Sequence, residues 1–187
     1  MSTLSTLLKD SLDIPVDFAF IKKVVGNSYK IAMLDYESFT SKTTLKRIFK
    51  DGRDCVAILF HIKDPSTGRV TPIGHWTLLI KASKNNNNTI QFFDSLGMGL
   101  KKILLRTHES PHLLNILRNK RWSDSTVALQ TQGRHFKECG SFCGVRGKMG
   151  GLTNKQFVKF LRNGKSRKAD KTVVMLTLLT YIEHYKM

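Results

Sequence analysis

The sequence predicts a domain of the α+β class, and three observations carry that prediction. Cys55–Ile62 is a continuous apolar run with β-branched residues, which reads as a buried strand. Two further strand-like stretches, His75–Ile80 and Thr89–Asp94, follow it across turn and loop chemistry. Helical spacing marks the segments on either side, and neither an internal repeat nor a linker interrupts the chain, so residues 1–187 read as a single domain.

The elements follow in order. Leu4, Leu7, Leu8 and Leu12 lie at helical spacing, and Pro15 ends that helix. Ser41–Lys50 predicts a second helix with Leu45, Ile48 and Phe49 on one face. After the first strand, Asp64-Pro65-Ser66-Thr67-Gly68 is a turn. Lys84 and the Asn85–Asn88 run form a polar hairpin loop. Gly97 and Gly99 break the chain after the third strand. Ser110 caps a helix that Pro111 opens, with Leu113, Leu114 and Leu117 inward. Val127–Thr131 reads as a short strand, and Cys139 to about Lys148 as a helix closed by Gly150 and Gly151. Thr153 with Gln156 is a capping box for a helix through Leu161, stopped by Asn163-Gly164. Asp170 caps a last helix whose apolar face holds Val174, Leu178 and Tyr181.

Composition narrows the class. At 41% hydrophobic residues in 187, the chain can build a core and does not read as disordered. No apolar run approaches the roughly 18 to 20 residues that span a bilayer, so no membrane association is expected. The N-terminus lacks the basic flank and long apolar stretch of a signal peptide. Three cysteines, Cys55, Cys139 and Cys143, are an odd count without framework spacing, which favours a reducing compartment. Lys and Arg number 31 against 14 Asp and Glu, a net +17, which points to nucleic acid or another polyanion. The excess peaks late: Arg146 to Lys171 holds nine basic residues and one acid, Asp170. Arg162, Lys165, Arg167 and Lys168 are the candidate phosphate contacts, binding duplex DNA without sequence preference.

Four residues carry candidate chemistry. A thiolate at a helix N-terminus is stabilised by unpaired N–H groups and the helix dipole, and Cys139 stands where a helix starts. Gly140 beside it leaves room for a substrate backbone. His75 opens a strand as a candidate base, with Trp76 packed next to it to limit water. Asp94 ends the strand running back and can hold the imidazole in one tautomer, the third role in a triad. Gln132, seven positions before Cys139, offers a side-chain N–H to an oxyanion together with the Cys139 backbone N–H. Gln130 rivals it, but Gly133 frees the backbone to turn after Gln132. Cys143 and Cys55 read as buried, inert thiols. His135, Cys139 and Cys143 recur every four residues, a spacing that could ligate zinc on a helix. No fourth ligand sits at useful spacing, and Gly133 argues for a loop there, so no metal or other cofactor is expected.

Gly74-His75-Trp76, Phe93-Asp94-Ser95 and Cys139-Gly140-Ser141-Phe142-Cys143, in that order, resemble the adenovirus-type endopeptidases (adenain) and the related ubiquitin-like-protein proteases. Gln132-Gly133, seven before the cysteine, is closer to adenain, and the small size and basic charge also resemble adenain and its relatives in virophages and Polinton-type elements. Glu138 stands where the ubiquitin-like-protein proteases usually have Asp. The resemblance covers roughly Ile73 to Cys143. It implies a central mixed β-sheet flanked by helices and a papain-like site in permuted chain order. It also implies His75 as base, Asp94 as orienter, Gln132 in the oxyanion hole and Cys139 as nucleophile. The implied activity is cleavage of capsid and core precursor proteins during virion maturation, with stimulation by DNA or a short viral peptide. The implied locations are the virion and the host-cell cytoplasm or viral factory, and the expected state is a monomer. Two alternatives stand beside this reading. One is a deconjugating protease for a ubiquitin-like modifier. The other is a non-enzymatic, basic DNA-binding virion protein.

Overall fold

The computed structural model describes residues 16–27, 29–64, 66–81, 89–130, 138–162, 169, 172–174 and 176–177. The predicted first helix, the Asn loop, Gln132, His135 and the Asn163-Gly164 stop lie outside them, as do Lys165, Arg167, Lys168, Asp170, Leu178 and Tyr181.

Strands β1 (Ile31–Asp35), β2 (Cys55–Lys63), β3 (Val70–Lys81), β4 (Ile90–Phe93) and β5 (Trp122–Ser123) form one sheet in chain order. The sheet is mixed: β1 runs parallel to β2, β2–β3 and β3–β4 are antiparallel, and β5 is parallel to β4. Helices α1 (Phe18–Val25), α2 (Leu45–Ile48), α3 (Leu100–Thr107), α4 (His112–Leu117), α5 (Cys139–Lys148) and α6 (Asn154–Arg162) flank it. The architecture is therefore α+β, as the sequence predicts. Among the described residues no helix is long and apolar enough to cross a membrane.

β2 reads as a continuous apolar run because both sheet faces are covered. Cys55 and Ala57 point into a core built with α1, α5 and α6. Val56, Ile58 and Phe60 point into a second core with α2, α3 and α4. The same alternation sends Trp76, Leu78 and Ile80 of β3 to the first core and Leu79 to the second. On the first face α1 lies unusually close to α5. A Cβ at Gly144 would sit 2.9 Å from Val24 Cβ, and one at Gly147 would sit 2.7 Å from Val25 Cγ2. Those contacts ascend both helices together, so α1 and α5 run in the same direction, with their N-termini at one end.

Several expectations hold. α5 spans Cys139–Lys148, and the capping box of α6 is reciprocal: Gln156 N–H donates to Thr153 Oγ1 at 3.2 Å and Thr153 N–H to Gln156 Oε1 at 2.8 Å. The Asp64 carboxylate accepts the Ser66 and Thr67 N–H groups, closing the β2–β3 turn. Residues 172–174 and 176–177 are helical, with Val173 and Val174 buried.

Others need correction. The helix expected over Ser41–Lys50 shrinks to α2, because Thr44 caps it by accepting the Arg47 N–H at 3.3 Å, and Thr43 N–H closes a turn onto Thr40 O. Ser110 does not cap α4 through its side chain; the Tyr36 hydroxyl accepts the Leu113 N–H at 3.1 Å and donates to Ser110 O at 2.7 Å. Residues 127–130 are not a strand. Leu129 and Gln130 N–H both donate to Ser95 O, which docks the segment on a turn instead of a ladder. α1, α3, β1 and β5 have no counterpart in the sequence reading.

Candidate active site

The site lies where β4 stops. β4 ends at Phe93, opposite Leu78, so β3 continues past it without a partner on that side. His75 and Trp76 occupy that overhang. His75 is inside β3, which starts at Val70, and does not open the strand as expected; it pairs with Phe60 of β2.

Asp94 follows directly after β4 and is fully buried. The turn that follows wraps its carboxylate. Oδ1 accepts the Leu96 N–H at 2.9 Å, and Oδ2 accepts Met98 N–H at 2.7 Å and Gly99 N–H at 3.3 Å. Gly97 makes this turn with φ +64, and a Cβ there would lie 2.3 Å from Ala128 N, so the position demands glycine twice over. Oδ1 also meets His75 Nε2 at 2.8 Å. Burial works to raise the Asp94 pKa, but His75 and these N–H donors outweigh it and hold the carboxyl below its ordinary range. An ionised carboxylate only accepts, so Nε2 carries the hydrogen and donates.

That leaves His75 Nδ1. It is buried and, among the described residues, has no hydrogen-bond partner. The Cys139 thiol nevertheless lies near enough for its interaction with the imidazole to raise the His75 pKa. Both hydrogen bonding to the thiol and its charge contribute to that rise. Burial pulls the His75 pKa down, but Asp94 and Cys139 reverse that and bring it to about 10. The imidazole is therefore a cation at neutral pH, held between one carboxylate and one thiol. A buried, unpartnered nitrogen is uncommon, and on an imidazolium it is an N–H whose proton is free to be passed on.

Cys139 is the first residue of α5 and is 2% exposed. Its Sγ accepts the Trp76 backbone N–H at 3.4 Å, a donor released because β4 has already ended. Sequence reasoning missed this donor, and the end of β4 was its only signal. Cys55 and Cys143 behave as expected of packing thiols. Burial, with Asp54 adding and Arg146 opposing, pushes Cys55 up to about 12. Burial, then the charges of Cys139, Asp94 and Cys55, pushes Cys143 well above its ordinary value.

Around this core the structure adds residues the sequence did not single out. Ser125 Oγ donates to Asp94 O at 2.9 Å, and Asp124 Oδ2 accepts the Leu100 N–H at the start of α3. Ser95, fully buried, donates its hydroxyl to Gln130 Oε1 at 2.7 Å. Gln130 is thereby tied to the turn that holds Asp94, while Gln132 lies outside the described residues. The sequence predicts that Gly140 leaves space for a substrate backbone. The structure fills that space from within: a Cβ on Gly140 would meet Val16 Cγ1 at 2.4 Å.

The basic stretch also needs correction at its first member. Arg146 is fully buried and donates to Met149 O, Leu152 O, Gln91 Oε1 and Asn154 Oδ1, so it holds α5, β4 and α6 together and offers nothing to a polyanion. Burial lowers its pKa to about 10, which still leaves it charged at neutral pH. Arg162 is exposed but donates to Ala128 O at 2.9 Å. Lys148, Lys155 and Lys159 are exposed.

No protein-family model matches the chain, and the searches of curated proteins and of solved structures return no match.

Proposed function

We propose that the chain is a cysteine endopeptidase of the adenain type, with a papain-like site in permuted chain order. Its substrates are capsid or core precursor proteins of a double-stranded DNA virus or virophage. One observation carries this reading: His75 is gripped by Asp94 at Nε2 while its buried Nδ1 is left toward the Cys139 thiol at a helix start. Asp94 keeps the imidazolium oriented, and the imidazolium favours a thiolate on Cys139. The Trp76 N–H donates to the same sulfur.

In the reaction the thiolate attacks the scissile carbonyl carbon. The oxyanion is received by the Cys139 backbone N–H and the Gln132 side chain. His75 passes the Nδ1 proton to the leaving amine, and the thioester is then hydrolysed by water that His75 deprotonates. The burial of His75, Asp94 and Cys139 keeps bulk water from screening the ion pair. The net +17 charge lets the enzyme ride on duplex DNA through phosphate contacts inside the virion. Arg162, Lys165, Arg167 and Lys168 contribute, beside the exposed Lys155 and Lys159 of α6.

The test is incubation with the neighbouring capsid or core precursor, with and without DNA, followed by sequencing of new N-termini. Discrete cleavage that needs Cys139 supports the reading. Cleavage only of Gly-Gly modifier fusions would instead make the chain a deconjugating protease. DNA binding with no hydrolysis of any substrate would make it a non-enzymatic virion protein.

A further inference from the structure

Val16 lies two residues before α1, outside the stretch whose motifs suggest the chemistry, yet it touches both halves of the site. Its carbonyl accepts the Trp76 indole N–H at 3.0 Å. Its side chain sits over Gly140, where an added Cβ would be 2.4 Å from Val16 Cγ1 and 2.7 Å from Val16 Cβ. The same Cβ would be 3.4 Å from Trp76 Cδ1, so Val16, Trp76 and Gly140 form one three-way contact. Trp76 follows the base and supplies the backbone N–H that meets Cys139 Sγ at 3.4 Å. Gly140 follows the nucleophile. α1 and α5 run side by side in one direction, so the packing of Val24 on Gly144 and Val25 on Gly147 delivers Val16 to the nucleophile's end.

We infer that Val16 is a positioning residue of the active site. Its carbonyl anchors the Trp76 indole and its side chain occupies the space that Gly140 vacates. Together these contacts hold the Trp76 N–H against the Cys139 sulfur and close that side of the thiol to water. Gly140 is then glycine because Val16 needs the room. The inference rests on the thiol-nucleophile reading above and extends it to the N-terminal segment.

The experiment measures the rate of Cys139 alkylation by iodoacetamide across pH, with thermal unfolding as the check on folding. This readout needs no peptide substrate. Gly140→Ala should slow alkylation at pH 7 by about tenfold and move the rise of the profile to higher pH, the scale of one misplaced hydrogen bond to a charged group. Val16→Gly in the same chain makes room for the new methyl and should restore the rate to within about threefold of the parent. Trp76→Phe keeps the ring but loses the indole N–H, and should shift the profile as Gly140→Ala does, with no rescue by Val16→Gly. If the double variant stays as slow as Gly140→Ala, or Trp76→Phe leaves the profile in place, the inference is overturned. If Gly140→Ala does not fold, Trp76→Phe decides alone. A parent in which Cys139 is not selectively alkylated would overturn the protease reading itself, a different outcome from selective alkylation that ignores Val16.

Discussion

Replacing Asp94 by Asn removes one charge and almost no volume, yet the structure predicts a large effect. The carboxylate accepts two donors on each oxygen: His75 Nε2–H and Leu96 N–H on Oδ1, Met98 N–H and Gly99 N–H on Oδ2. An amide offers one oxygen and one NH2. Whichever way the new amide is turned, two donors face an NH2 group and lose their acceptor. A buried unsatisfied donor costs about 1–3 kcal/mol, so two cost about 2–6 kcal/mol. The Gly99 contact is long at 3.3 Å, so the lower half of that range applies if the amide turns its NH2 to that side. A loss of about 3 kcal/mol is a large share of the roughly 5–15 kcal/mol that holds a domain folded. The pH dependence gives a second signature. His75 has a folded pKa raised from 6.5 to about 10, so its stabilisation is fully present below about 6.5 and is lost as pH climbs toward 10. Asp94 has a folded pKa held below 3.8, so its contribution is present above that value and disappears on acidification. Urea unfolding of parent and Asp94→Asn between pH 6 and 10 measures the loss at neutral pH and the His75 signature together. The parent should lose stability across that window, and the variant should start about 3 kcal/mol lower and change less. A variant within about 1 kcal/mol of the parent at pH 7, with an unchanged pH slope, refutes the reasoning.

Cys139→Ala should abolish cleavage and keep the fold, whereas Cys143→Ala should keep most activity at a cost of about 1–2 kcal/mol for the buried cavity; activity assays with thermal melts separate the two. Gln132→Ala should lower turnover by about 100-fold with little change in KM, while Gln130→Ala should mainly lower stability, because it strips the Ser95 hydroxyl of its acceptor. Greater loss of turnover in Gln130→Ala at unchanged stability would move the oxyanion donor to Gln130. Arg146→Met should destabilise by about 3 kcal/mol or more without changing DNA affinity of the folded protein, since the guanidinium is buried among neutral acceptors. Reversing Lys165, Arg167 and Lys168 to Glu, with Arg162 kept because it holds Ala128 O, should weaken duplex binding and flatten its salt dependence without altering cleavage of a small peptide.

What was legible in the sequence was local. The α6 capping box needs only Thr153 and Gln156, and α5 is bounded by Cys139 and the glycines after Lys148, so both read directly. His75 and Asp94 were legible as neighbours because His75 lies on β3 and Asp94 directly follows its antiparallel neighbour β4. α3 carried a visible pattern, with Leu100, Ile103, Leu104 and Thr107 buried at helical spacing, but the preceding glycines read only as a break. The rest is tertiary. Charge counting cannot tell that Arg146 points into the core while Lys155 and Lys159 face water. Nothing near Gly140 announces that Val16, far back in the chain, fills its missing side chain. Nor does Ser110 reveal that the cap of α4 comes from Tyr36. Val16 and Tyr36 lie far off in sequence from the groups they serve, and Arg146 reaches Gln91 on β4 beside its nearer acceptors, so only the tertiary fold completes each contact.

The central claim is that His75 and Asp94 activate Cys139 for peptide-bond hydrolysis. The most direct measurement is exposure of a denatured protein mixture to the parent, Cys139→Ala and His75→Ala proteins, with mass-spectrometric mapping of new N-termini. The parent should produce a restricted set of cleavage sites, and either variant none above background, because triad members act as a unit. Equal cleavage by Cys139→Ala, or no cleavage by a folded parent with or without DNA, would contradict it.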